Sequence, residues 1–283
     1  MRRAARSPLF LMALTVFIDF AGFGLVIPLL PFWAERLGAG PVGVGLILTV
    51  YALAQFLFTP LLGALSDRYG RRPIILASLL IEALGFALTA LSGSLAMLLV
   101  ARFVGGMGAS NIGSAQAVVA DVTPPEGRAR GMGLIGAAIG LGFVVGPALG
   151  GALAPLGLTV PFWAALGVAL ANALLVLALL PETRQRLPHS GQQGRAALQP
   201  HPSREDGMTE AAPAAARRGA LNLLTGWRQT LRHPAIARLV VINLLFTLAF
   251  TGMETVFPLF SQHIFGWTAQ QNGYIFTYVG VVI

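Results

Sequence analysis

The chain has 283 residues, 55% of them hydrophobic and 11% charged, against about 25% charged in an ordinary soluble domain. It contains no cysteine, which excludes disulfides and thiolate metal sites, and all 19 basic residues are arginine, which excludes a Walker A loop with its phosphate-binding lysine. A net charge of +8 fits a nucleic-acid surface only if the arginines share one face, and their placement argues otherwise.

Hydropathy divides the chain into seven runs long enough to cross a bilayer and the start of an eighth: Pro8–Trp33, Val42–Leu65, Pro73–Leu91, Leu95–Ala120, Gly131–Ala154, Pro161–Leu180, Ile236–Phe260 and Gln270–Ile283. A helix rises about 1.5 Å per residue and the hydrocarbon core is roughly 30 Å thick, so some 20 apolar residues suffice. The first run follows MRRAAR but is too long for the roughly 7–15 apolar residues of a signal peptide, and it reads as an uncleaved first helix. It carries DFAGFGLVIPLLP, Asp19 to Pro31. Helical rise puts Asp19 about 16 Å into the bilayer, where a carboxylate is costly and functional by default. The plainer role is a hydrogen bond to neighbouring helices. Gly22 and Gly24 permit close helix contact, while Pro28 and Pro31 perturb the outer end.

Between the second and third runs lies GALSDRYGRR, Gly63 to Arg72. Its charged part, Ser66 to Arg72, is expected as a short turn joining two helices at one membrane surface. Glu82 is a buried acid of the third run. In the fourth, Arg102 sits about a third of the way in from the outer surface, where it pairs with a carboxylate or faces water. Coupling and a structural ion pair are both open for it. Asp121 ends the fourth run at the same surface as the charged turn. The fifth run reads GLGFVVGPALGGAL: Gly142, Gly146 and Gly150 recur every four residues and share a face, with Pro147 and Gly151 beside them. The expectation is a packing seam against a helix of the second half.

The stretch 182–235 is rich in Pro, Gly, Gln, Ala and Arg and is expected as a flexible linker, ending in an amphipathic surface helix, ALNLLTGWRQTLRH. Glu254 is the acid of the seventh run. The eighth stops after about fourteen residues, so the chain reads as a fragment or truncated gene. The domain plan is 1–181, a six-helix bundle; 182–235, the linker; and 236–283, the start of a second bundle. With the N-terminus cytoplasmic, 17 of the 19 arginines fall on the inner side, which is a topology signal rather than a nucleic-acid surface.

Several of these stretches resemble the major facilitator superfamily. Gly63, Leu65, Ser66, Asp67, Arg68, Gly70, Arg71 and Arg72 match its loop pattern G-x-L-(A/S)-D-R-x-G-R-(K/R). Arg102, Gly106, Gly108, Ala109 and Ser110 match R-x-x-Q-G-x-G-A-(A/S), with Gly105 in place of the glutamine. G-x-x-x-G-P-x-x-G-G in the fifth run is similar to the motif of antiporters, and the Asp19 stretch resembles the first helix of drug:proton antiporters. Glu82 and its surroundings look like tetracycline exporters, and Pro181–Thr183 resembles the family's exit from helix six.

The resemblance implies an all-α integral membrane protein with the major facilitator fold: a six-helix bundle plus the seventh and part of the eighth helix. It implies a proton-coupled antiporter exporting drugs or other small hydrophobic or cationic compounds, monomeric, multi-pass in a bacterial inner membrane. Its partners would be a small-molecule substrate, protons and the bilayer, with no cofactor, metal or nucleic acid. Asp19, Glu82, Arg102 and Glu254 are then the candidates for proton coupling and substrate. Gly63, Asp67, Arg68, Gly70, Arg71, Arg72 and Asp121 would form a conformational latch. A proton-coupled uptake symporter for a sugar, organic acid or amino acid is the alternative. A membrane enzyme or receptor lacks support: the four histidines, His189, His201, His233 and His263, fall in expected loops without metal-binding spacing or a nucleophile–base pair.

Overall fold

In lipid every backbone N–H and C=O must be satisfied within the protein, and for long apolar runs without strand periodicity that means helices. The computed structural model of the chain describes residues 8–182 and 234–282, and every regular element among them is helical. The expected linker from residue 183 onward, its surface helix, residues 1–7 and Ile283 lie outside the described residues. The described residues fall into two compact units, 8–182 together with 254–282, and 234–253. Seven of the helices described are long and apolar enough to cross a membrane.

The first span is α1 (Pro8–Val26), a 3-10 turn at Ile27–Leu29 and α2 (Leu30–Arg36). The break falls at Pro28, which has no N–H to continue the ladder. Then come α3 (Pro41–Tyr69) and α4 (Arg71–Ala90). The fourth span is α5 (Leu95–Gly108), a 3-10 turn at Ala109–Asn111 and α6 (Ile112–Val122). Ser94 caps α5 by accepting the Met97 N–H at 3.2 Å. The fifth and sixth spans are α7 (Arg128–Leu153) and α8 (Val160–Leu179); α9 (Pro234–Phe265) and α10 (Ala269–Val282) follow. His263 therefore lies in the last turn of α9 and not in a loop.

The charged turn expected over Ser66–Arg72 shrinks to one residue. Ser66 to Tyr69 complete α3, and Gly70 alone, at φ +113°, separates it from α4. That backbone region favours glycine, and the sharp reversal lets two long helices meet without a loop.

In the larger unit, α1 packs on α7 and α8, α4 on α5 and α8, and α3 on α5. Two apolar clusters fill the bundle. One gathers Met12, Val16, Ile75, Leu79, Val118 and Ile135. The other gathers Leu25, Leu29, Ile47, Phe86, Leu98 and Phe162. Along α1 the first cluster draws on residues 11–16 and the second on 25–30; along α4 they draw on 75–79 and 83–90. Asp19 and Glu82 fall in the gap between them. The outer faces are apolar too, with Leu53, Phe56, Leu57 and Leu61 of α3 and Leu170, Leu174 and Leu177 of α8 exposed, as a lipid-facing surface requires. In the smaller unit, Leu239, Ile242, Leu245 and Leu248 of α9 are likewise exposed.

Candidate functional site

Four helices contribute to one polar layer between the apolar clusters. Asp19 comes from α1, Tyr51 from α3, Glu82 from α4 and Arg102 from α5, and Asn111 projects from the 3-10 turn that breaks the fourth span. Arg102 is 1% exposed, Glu82 2% and Asn111 5%, whereas Asp19 is partly exposed. The Asp19 and Glu82 carboxyls face each other at hydrogen-bonding range. Asn111 Nδ2 donates to Asp19 Oδ2 at 3.2 Å. The Arg102 guanidinium lies over the Tyr51 ring, 4.1 Å from its centroid, a desolvated cation–π contact of about 2 kcal/mol. Glu82 Oε2 and Arg102 Nε and Nη2 are buried with no hydrogen-bond partner among the described residues.

Small residues make this layer possible. A Cβ on Gly108 would stand 2.6 Å from Glu82 Cα, and one on Gly85 would stand 2.5 Å from Gly105 Cα, so α4 and α5 touch at backbone distance. The 3-10 turn is held from α3: Gln55 Nε2 donates to Ala109 O at 3.0 Å, and Ser110 Oγ donates to Gln55 O at 3.2 Å. Aromatic rings adjoin Asp19 on α1. Phe20 packs on Phe143 at 5.5 Å, and Phe23 on Tyr51 at 5.2 Å and on Phe143 at 6.1 Å. Three sequence-named residues, Asp19, Glu82 and Arg102, thus meet. Glu254 lies on α9 and makes no salt bridge among the described residues. Tyr51 and Asn111 were not singled out by the sequence reading; the signal for Asn111 was an uncharged amide inside an apolar span.

At the bundle end marked by Gly70 a second cluster forms around Arg71. Its Nη1 is 2.5 Å from Asp67 Oδ1 and its Nε is 3.1 Å from Asp121 Oδ2. Arg72 turns away, donating to the Leu177 carbonyl. Glu182 caps α4, accepting the backbone N–H of Arg71 at 2.9 Å and of Arg72 at 3.3 Å. A side chain at Gly70 would meet that carboxylate at 2.5 Å, a second reason for glycine there. Arg68 lies over the Tyr69 ring at 5.4 Å, and a Cβ on Gly63 would meet nothing within 4 Å. Among the described residues, no group of three or more His, Asp or Glu gathers to hold a metal.

The glycine face of α7 needs correcting. Gly142, Gly146 and Gly150 pack not on the second half but on α1: Cβ atoms there would meet the backbone of Ala21, Gly24 and Leu25. Gly24 answers from the other side, where an added Cβ would stand 3.4 Å from Gly146 Cα. The contact with α10 uses the adjacent face, where Gly151 lies against Gln270 and Gly273, and Gly280 against Phe143 and Val144. Four-residue spacing defines a face but not the helix opposite it. Leucine in place of Gly146 puts its Cβ 2.6 Å from Ala21 O, so the variant is expected to lose about 1–3 kcal/mol. A lowered melting temperature in detergent checks this, and an unchanged one would contradict the seam.

With this geometry in hand, the likenesses to known proteins are consistent among themselves. The model of the Major Facilitator Superfamily matches residues 12–283. The chain is 33% identical over 271 residues to the class C tetracycline resistance protein of Escherichia coli, covering 95% of this chain and 62% of that protein. It is 29% identical over 268 residues to multidrug resistance protein 2 of Bacillus subtilis, covering 94% and 61%. The human organic anion transporter MFSD10 (TETRAN) superposes with a TM-score of 0.69 at 28% identity, covering 98% of this chain and 70% of that structure. The chain therefore spans less than two thirds of the length of the two bacterial relatives.

Proposed function

This chain belongs to the Major Facilitator Superfamily, and on that premise we propose that it serves a proton-coupled antiporter exporting drugs or other small hydrophobic or cationic compounds. The superfamily is one of membrane transporters, and the chain is a multi-pass membrane protein. The observation that carries the proposal is the Asp19–Glu82 acid pair, buried between two apolar clusters with Arg102 nearby. Two carboxyls in contact do not both ionise readily, so the pair holds a proton that a change of environment can release. The tetracycline and multidrug resistance proteins among the relatives favour export.

In this reading Arg71, bridging Asp67 and Asp121 across α3, α4 and α6, belongs to a latch that closes one side of the bundle. The arginine asymmetry favours a cytoplasmic N-terminus in a bacterial inner membrane, and no feature calls for more than one copy. A second reading, transport of organic anions, draws support from the unpartnered Arg102 nitrogens and from MFSD10.

The test is substrate-driven proton release from everted vesicles carrying the full-length protein, over tetracycline, cationic dyes and an organic anion. Release with tetracycline or the dyes supports drug export, and release with the anion alone supports the second reading. Solute accumulation without drug-dependent proton movement would overturn antiport.

A further inference from the structure

We propose that Asn111 decides where the proton rests in the acid pair: its side-chain amide holds Asp19 as the carboxylate and leaves the proton on Glu82. The inference rests on the proton-coupled reading of the pair, and it adds a positioning residue and an order to it.

Three observations carry it. Asn111 is 5% exposed and gives Asp19 Oδ2 an N–H at 3.2 Å, and hydrogen bonds to an ionised acceptor are roughly twice as strong as neutral ones. Glu82 Oε2 accepts from nothing among the described residues, and Glu82 is 2% exposed, so a charge there is neither solvated nor hydrogen-bonded at that oxygen. Asp19 keeps partial exposure. A proton on Glu82 then makes that group the donor and Asp19 the acceptor.

Other groups face the pair. Arg102 of α5 favours an ionised Glu82, yet it stacks on Tyr51 and makes no hydrogen bond to Glu82. Its charge bears on Glu82 and so works against the Asn111 amide. Tyr51 of α3 is the remaining titratable group. The spans of α7 from Gly131 and of α8, both packed on α1, contribute none.

Asn111 ends the 3-10 turn at Ala109–Asn111, which α3 holds through Gln55: its Nε2 donates to Ala109 O and its backbone O accepts from Ser110 Oγ. A mid-span 3-10 segment commonly marks a functional position.

The experiment has two arms on the full-length protein in membranes. In the first, the pH profile of tetracycline-driven proton release is compared for wild type, Asn111→Leu and Asn111→Gln. Losing a hydrogen bond to a charged group shifts the midpoint to higher pH by about one to two units, and glutamine, which keeps the amide, restores it. A purely structural asparagine would lower the rate without moving the midpoint, and an unmoved midpoint in Asn111→Leu overturns the proposal.

The second arm needs no transport, so it separates failure of this inference from failure of the exporter reading. Infrared difference spectra read the protonated-carboxyl band of wild type against Glu82→Gln and Asp19→Asn. Loss of a band in Glu82→Gln but not in Asp19→Asn, and its return when Asn111→Leu is added to Glu82→Gln, is the expected result. The band surviving in Glu82→Gln and vanishing in Asp19→Asn overturns it.

Discussion

Replacing Asp19 with asparagine is expected to reduce substrate-driven proton release from everted vesicles to background. Asparagine matches the shape of aspartate and its carbonyl can still accept the Asn111 N–H now bonded at 3.2 Å, so packing around α1 is preserved. What it removes is a group that ionises. Glu82 is then left facing a neutral amide, and the proton shared by two carboxyls is no longer set free when one environment replaces another. The packing of the Phe20, Phe23 and Phe143 rings should persist in the variant. Proton release equal to that of wild type would remove Asp19 from the mechanism and return it to a helix-bridging role.

The second large effect is expected at Arg102, the largest side chain among the fully buried ones. Arg102→Leu takes away the cation that balances the acid pair and the stacking over Tyr51 at 4.1 Å. Breaking a buried pair leaves an uncompensated charge and costs about 3–5 kcal/mol, so the variant should melt well below wild type in detergent. The double variant Arg102→Leu with Asp19→Asn removes the stranded charge as well and should recover much of the loss. Were the double variant no more stable than the single one, the arginine would act through packing alone. Arg102→Lys should recover little, since an ammonium cannot lie flat on the tyrosine ring as a guanidinium does.

The legibility of this protein from its residues differs between the spans and the site. The spans were readable because a bilayer imposes a length on every apolar run and forbids unpaired backbone within it. Asp19, Glu82 and Arg102 stood out for the same reason: each is a charge where charges are costly. The Gly63–Arg72 pattern pointed to the family. Asn111 and Tyr51 stayed hidden, since a neutral amide and a phenol inside apolar helices signal little until their neighbours are known. Glu182 was noticed only as part of an exit motif; its capping of α4 joins residues over a hundred positions apart in the chain.

The sequence by itself therefore determined what the membrane dictates locally: an all-helical chain, the number of its long apolar runs, and the acids that fall within them. Only the tertiary structure decided which of these residues meet. That Asp19 faces Glu82, and that Gly142, Gly146 and Gly150 close on α1 rather than on α10, depends on how each helix is rotated about its axis. Rotation is set by side chains interlocking between helices distant in the chain. A repeat of 3.6 residues shows that a face exists, and only packing shows what lies against it.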